Sequence, residues 1–278
     1  VPLFPFHTWL PAAYSAAPTG ASMFLTAVMS KMGVYGFFRI LWPLFPEQLR
    51  TAAPVLLTLA LAGVLLGAFA AIAQKDIKRM IAYSSINHVS YCLLALFAVA
   101  GQAAANAAAS VPALNGAILQ MANHGLSAGA LFLAAGILEA RAGGLRGLGD
   151  FGGVRAKAPV FAGFCGIALF SSLGLPGLNG FPGEFLIFLG VFGLKPWFAA
   201  AAMLALFATA WFLLTFFQKV FCGPVGQAAA IQGFRDLTLV EKLNFIPLLF
   251  LMFLAGVFPG LVTHLFNPLV ADWVAQLE

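Results

Sequence analysis

The chain has 278 residues and a formal charge of +5, with 62% apolar and only 8% charged residues and a mean hydropathy of +0.98. A water-soluble domain carries roughly a quarter of charged residues, so a soluble fold is excluded and the fold class is all-α, a polytopic transmembrane helix bundle. The positive charge does not signal nucleic acid, because the basic residues fall in loops on one side, and Cys92, Cys165 and Cys222, far apart and without a CxxC pair, exclude a disulfide framework or a thiolate metal site.

The chain opens on VPLFPFHTWLP, with no initiator methionine and no polar lead-in. It reads as the end of an apolar helix running into a loop, so the expectation is that further spans precede it. Runs long enough to cross a bilayer, which takes about 20 residues, follow at 19–42, 52–73, 78–100, 113–138, 158–193, 197–218 and 243–265. The fifth run is too long for one straight span. LGLPGLNGFPG interrupts it, so 158–193 is either one discontinuous helix or two short spans.

Loop charges decide between them. With the break inside a single crossing, one side carries Lys75, Lys78, Arg79, Arg141, Arg146, Arg155, Lys157, Lys219, Arg235 and Lys242, and the other only Arg50 and Lys195. Crossing twice would move the later loops to the opposite side and dilute this asymmetry. A single broken crossing is therefore predicted, with the basic loops cytoplasmic and the C-terminus, carrying Asp272 and Glu278, outside. A break in lipid needs its freed backbone groups satisfied by protein or water, and discontinuous helices of this kind recur at ion and substrate sites of transporters.

Few ionisable groups remain inside the spans: Lys31 in the first, His88 in the third, His124 in the fourth and Glu184 just after the break. Arg39 lies near a span end and reaches the interface, and His7 and His264 also lie near span ends. Taken singly, each imidazole suits packing and Glu184 suits a helix cap. Together, a base, two imidazoles and an acid on four spans have the chemistry of a proton relay, since histidine titrates near neutral pH unperturbed and buried lysine and glutamate are brought toward it. Ser84, Ser85, Asn87, Asn115, Gln120 and Asn123 add uncharged polar lining, and Gly125, Ser127, Ala128 and Gly129 allow close helix approach or room for water. A haem between His88 and His124 would leave Lys31 and Glu184 without a role, and the motifs of iron–sulfur, dinucleotide or P-loop sites do not occur.

The words PFHTWLP, APTG, SKMGVYG, QKDIKRMIAYSSINH, QMANHGLSAGALF and GLPGLNGFPGEFLI together resemble the antiporter-like proton-pumping membrane subunits of respiratory complex I, nearest to the subunit M (chain 4) type. The resemblance covers the whole chain. That family has fourteen transmembrane helices in two inverted repeats, with helices 7 and 12 broken. The resemblance implies that 1–278 is a single transmembrane domain matching helices 8–14, with 1–18 the tail of helix 7 and a loop, and with the N-terminal half missing. It implies that Lys31 is the conducting lysine of helix 8, His88 and His124 the histidines of helices 10 and 11, and Glu184 the acid of helix 12 at the outlet of the pathway. Sister subunits carry lysine at the positions of Ala128 and Glu184, which favours the subunit M type.

It also implies no cofactor in this chain, with NADH and quinone reached only through other subunits. The expected partners are neighbouring antiporter-like subunits and the lipid bilayer of an energy-transducing membrane. One segment departs from the pattern: LPAAYSAAPT places Ala12, Tyr14 and Ala16 where the family carries an aspartate, a histidine and often a glutamate, which puts ionic contacts of that loop in doubt. Alternative readings are a cation/proton antiporter or membrane-bound hydrogenase subunit, or a non-conducting structural subunit.

Overall fold

The computed structural model describes residues 2–102, 106–231 and 234–275; Glu278 lies outside them. After a short helix α1 (Trp9–Ala16), six helices among the described residues are long and apolar enough to cross a membrane: α2 (Thr19–Leu44), α3 (Pro46–Ile72), α4 (Ile77–Ala100), α5 (Ala107–Arg141), α8 (Pro196–Phe221) and α9 (Leu239–Val257). Between α5 and α8 run two shorter ones, α6 (Pro159–Ser172) and α7 (Gly180–Leu194). A last helix, α10, covers Asn267–Ala275.

The starts follow from local chemistry. Proline stands at the first position of α3, α6 and α8, where its missing N–H is not needed and its fixed φ suits the helix. Asp76 caps α4 by accepting from the Arg79 N–H at 2.9 Å, and Thr238 and Glu241 form a reciprocal capping box at the start of α9.

The bundle is centred on α4, whose residues from Ser84 to Ala100 are all buried, and on α5, which is buried over most of its length. The outer helices α2, α3, α8 and α9 turn large apolar side chains outward, among them Phe207 and Trp211 of α8 and Phe250 of α9. This is the surface an integral membrane protein offers to lipid.

The loops gather at two ends. At one, Leu148 N–H donates to the Lys75 carbonyl, Ala228 N–H to that of Asp150 and Gly153 N–H to that of Cys222, and Arg141 binds Glu241 at 2.6 Å. At the other, Ala53, Gly101, Lys195 and Phe198 line one crevice. All ten loop cations assigned to one side lie at or beside the first end, and Arg50 and Lys195 at the second.

The break does not turn the chain back. The neighbours of α6 and α7 fall steadily along α5: Phe161 under the Arg141 guanidinium at 5.8 Å, Ser171 beside Ser127 at 2.7 Å, Asn179 beside Asn123 at 3.0 Å, then Gly183 against Gln120 and Gly190 against Ala113. At 1.5 Å per residue, α6 and α7 are each roughly 21–23 Å long, too short for a hydrocarbon core of about 30 Å. Together they make one discontinuous crossing over 158–193, as the loop charges require.

Several boundaries differ from expectation, with α3 and α5 each starting six residues before the expected 52 and 113. The last crossing was placed at 243–265, but it runs from Leu239 to Val257: the capping box starts it earlier, and Pro259, which disfavours helix in the residue before it, stops it. The expected loop up to residue 18 is helical over Trp9–Ala16, where Leu10 and Tyr14 are buried; Tyr14 donates to the Leu25 carbonyl at 3.0 Å and meets Phe132 edge-on. Tyr14 thus anchors the segment by packing and a neutral hydrogen bond.

Candidate functional site: a buried histidine–glutamate cluster

Glu184 is the fifth residue of α7 and does not cap it. Its Oε1 lies 2.9 Å from His88 Nδ1 of α4 and accepts from Gln120 Nε2 of α5 at 3.0 Å. Its Oε2 rests over Gly174 in the break, where a Cβ would come within 3.1 Å and where φ is +77°. Both facts select glycine. His124 of α5 stacks on His88 with ring centroids 4.9 Å apart. All three titratable groups are nearly fully buried, so their contacts operate in a low dielectric, where polar interactions are strong and unpaired groups expensive.

The hydrogen bonding is incomplete in an informative way. Among the described residues, the buried His88 Nε2, His124 Nε2, Gln120 Oε1 and Asn115 Oδ1 have no protein partner. Such atoms are ordinarily satisfied by ordered water. A carboxylate, two imidazoles and a set of open donors and acceptors form a short chain along which a proton can be passed, each imidazole taking it on one nitrogen and releasing it from the other.

Lys31 is held differently. Residues Leu25–Met29 form a π-helical turn, so the Ser30 N–H reaches the Leu25 carbonyl, five residues back. The Thr26 carbonyl instead takes the Ser30 hydroxyl at 2.9 Å and the Lys31 ammonium group. π-turns of this kind are frequent at functional sites. The α2 backbone in this turn packs on α5 next to His124, where a Cβ at Gly125 would come 2.8 Å from the Ala27 carbonyl oxygen. Among the described residues no direct hydrogen bond joins Lys31 to either imidazole. The cluster is therefore His88, His124 and Glu184 in contact, with Lys31 one step away.

One residue the sequence did not single out holds the break together. Asn179, fully buried, accepts from the Ser171 hydroxyl and from Ser127 at 3.4 Å, and donates to the Asn123 carbonyl at 3.0 Å; Asn123 returns a bond to the Asn179 carbonyl. The available signal was its place in LNG, an asparagine–glycine pair inside an apolar run. Asn179→Ala removes the acceptor of Ser171 and the donor to Asn123, and is expected to destabilise the protein by about 1–3 kcal/mol. A lowered unfolding temperature in detergent, with the helix content retained, is the check; an unchanged temperature overturns this role.

The chain is similar to known proteins. The family described as "NADH:quinone oxidoreductase/Mrp antiporter, TM" matches residues 1–210. Among curated relatives, NADH-quinone oxidoreductase subunit M of Rhodobacter capsulatus is 36% identical over 274 residues, covering 99% of this chain and 51% of its own length, and that of Mycobacterium tuberculosis is 38% identical over 277 residues, covering 99% and 48%. The chain thus spans about half the length of the curated relatives it matches. Among solved structures, a chain of respiratory complex I from Thermus thermophilus superposes with a TM-score of 0.89 at 36% identity, over all of this chain and 56% of that one. A chain of the Mrp complex from a Dietzia species shares the fold, with a TM-score of 0.84 at 19% identity over 98% of this chain and 56% of that one. With its broken crossing and buried titratable cluster, the chain belongs to the NADH:quinone oxidoreductase/Mrp antiporter transmembrane family.

Proposed function

We propose that the chain is part of a proton-translocating membrane subunit of an NADH:quinone oxidoreductase, with Lys31, His88, His124 and Glu184 passing protons through the membrane interior. The observation that carries this reading is the His88–Glu184 contact of 2.9 Å with His124 stacked behind it, placed where a helix breaks and where several polar atoms stand open. A buried acid beside imidazoles on three separate helices has no need to exist for packing alone, because intramembrane ionisable groups are costly.

In this reading a proton held by Lys31 moves over water and the two imidazoles to Glu184. Its release from Glu184 is to the side opposite the basic loops, which face the cytoplasm of a bacterial inner membrane or an equivalent energy-transducing membrane. Moving one proton against 100 mV takes about 2.3 kcal/mol. The energy comes from redox chemistry in partner subunits, with neighbouring antiporter-like subunits transmitting the charge change; NADH and quinone bind those partners, and this chain takes no cofactor of its own.

The test uses the full-length chain in its assembled complex, in membrane vesicles loaded with a pH-sensitive dye and free of added Na⁺ and K⁺. Quinone reduction is expected to drive acidification in that buffer. Lys31→Met is expected to slow translocation roughly 100-fold or more, the lower end for loss of a proton-transfer group. A strict requirement for Na⁺, or an unaltered proton-to-quinone ratio in Lys31→Met, overturns the proposal.

A further inference from the structure

At the basic end lies an open cavity of about 700 Å³ lined by Ser15, Thr19, Lys78, Glu139, Gly144 and Arg146. Its floor carries an unusual pair. Lys78 is only 3% exposed, yet its ammonium group binds Glu139 at 2.6 Å. Arg146 flanks the same carboxylate at 3.7 Å and is itself fixed by Asp76 at 3.1 Å and by the Ser15 carbonyl at 2.7 Å.

A polar stripe on α2 runs from that cavity toward the cluster, and α4 carries a second, sparser row interrupted by Ile81 and Ala82. On α2, Thr19, Ser22, Thr26 and Ser30 recur at helical spacing on one face, and the last three are buried. On α4, Lys78 and Ser85 stand two turns apart, roughly 10 Å along the axis, and His88 follows three residues later on the same side. The stripes are joined where Thr26 Oγ1 meets Ser85 Oγ at 3.0 Å. Thr26 also holds Lys31 through its carbonyl. A hydroxyl both donates and accepts, so it can receive one proton while releasing another, and waters between the hydroxyls complete such a line.

We propose that this cavity is a proton-uptake vestibule of its own, opening at the basic end, with the Lys78–Glu139 pair as its gate and the Thr26–Ser85 hydroxyl bridge leading inward to Lys31. The Glu139 carboxylate takes a proton from vestibule water, forming an O–H bond and loosening its ion pair with Lys78. The proton then shifts along the hydroxyl and water line, each oxygen giving up one O–H bond as it gains another, and ends on the neutral Lys31 amine as ammonium. The inference rests on the reading of Lys31 as a relay group.

The experiment plugs the vestibule. In the assembled complex, with the half-exposed Cys222 replaced by serine, Thr19→Cys is treated with a membrane-impermeant cationic methanethiosulfonate from each face in turn. The expected result is modification from the basic face only, followed by loss of proton translocation per quinone reduced. Glu139→Gln and Ser85→Ala lower the same ratio and Ser85→Thr restores it, at unchanged amounts of assembled complex on native gels. A thiol that is not modified from the basic face, or one that is modified without change in the ratio, overturns the proposal. Lys31→Met and Glu184→Gln are measured alongside. If they stop translocation while plugging does nothing, the vestibule fails and the relay stands; if plugging stops it and they do nothing, the relay fails and the route from the cavity to Lys31 fails with it.

Discussion

Glu184→Gln is expected to stop proton translocation through this chain while leaving it folded and assembled. Glutamine has nearly the shape of glutamate, and its carbonyl oxygen still accepts from Gln120 Nε2, now at 3.0 Å, and from His88 Nδ1, now at 2.9 Å. The packing over Gly174 is also preserved, because the second oxygen is replaced by a group of similar size. What is lost is titration: an amide cannot take the proton from His88 and hand it on. Removing an acid–base group from a proton-transfer step slows it roughly 10²–10⁴-fold. Dye-reported acidification of vesicles is therefore expected to lose this chain's share, with quinone reductase protein still present on native gels. A proton-to-quinone ratio equal to wild type ends the assignment of Glu184.

Gly116→Ala is expected to damage the fold severely although it is a conservative substitution. A methyl at residue 116 lands 2.5 Å from the Ile187 nitrogen and 2.9 Å from the Gly183 carbonyl oxygen. These are backbone atoms of α7, which cannot rotate aside as a side chain can. Overpacking costs about 1–3 kcal/mol where neighbours can adjust and more where they cannot. The helix that has to move also carries Glu184, so the contact with His88 goes with it. Gly163→Ala in α6 is the control, since a Cβ there meets nothing within 4 Å and alanine is a better helix former by about 1 kcal/mol. Yield and unfolding temperature of the assembled protein report both; equal stability of the two variants removes the argument.

The crossings and the broken helix were legible because bilayer thickness sets run length and loop charge sets sides. Both signals are local in sequence. The four titratable groups were legible for a related reason: a charge in an apolar run stands out alone. Their partners were not. The approach of His88 to Glu184 joins residues 96 apart, and nothing in either segment states it. Nor does LTAVM announce a π-turn, because that depends on one shifted hydrogen bond rather than on composition. Asn179 was passed over because asparagine beside glycine reads as a turn, and only the fold shows it buried against Asn123 and Ser171. The last crossing was read too far because apolar residues continue past Pro259, while backbone geometry ends the helix at Val257.

The glycine contacts between α5 and α7 also fix what in the break is able to move. At Gly116 and Gly190 the two helices touch through their backbones, and at Gly183 the Gln120 side chain lies directly on the α7 backbone. Mechanically they form one rod. The hinge at residues 173–179 therefore has a bolted leaf, which keeps Glu184 at constant height beside Gln120, and a second leaf, α6, held near its start by Arg141 and near its end by two serine hydroxyls. Asp236 also accepts from the Val160 and Phe161 N–H groups at the start of α6, so both leaves are fastened and the acid is held in register with α5.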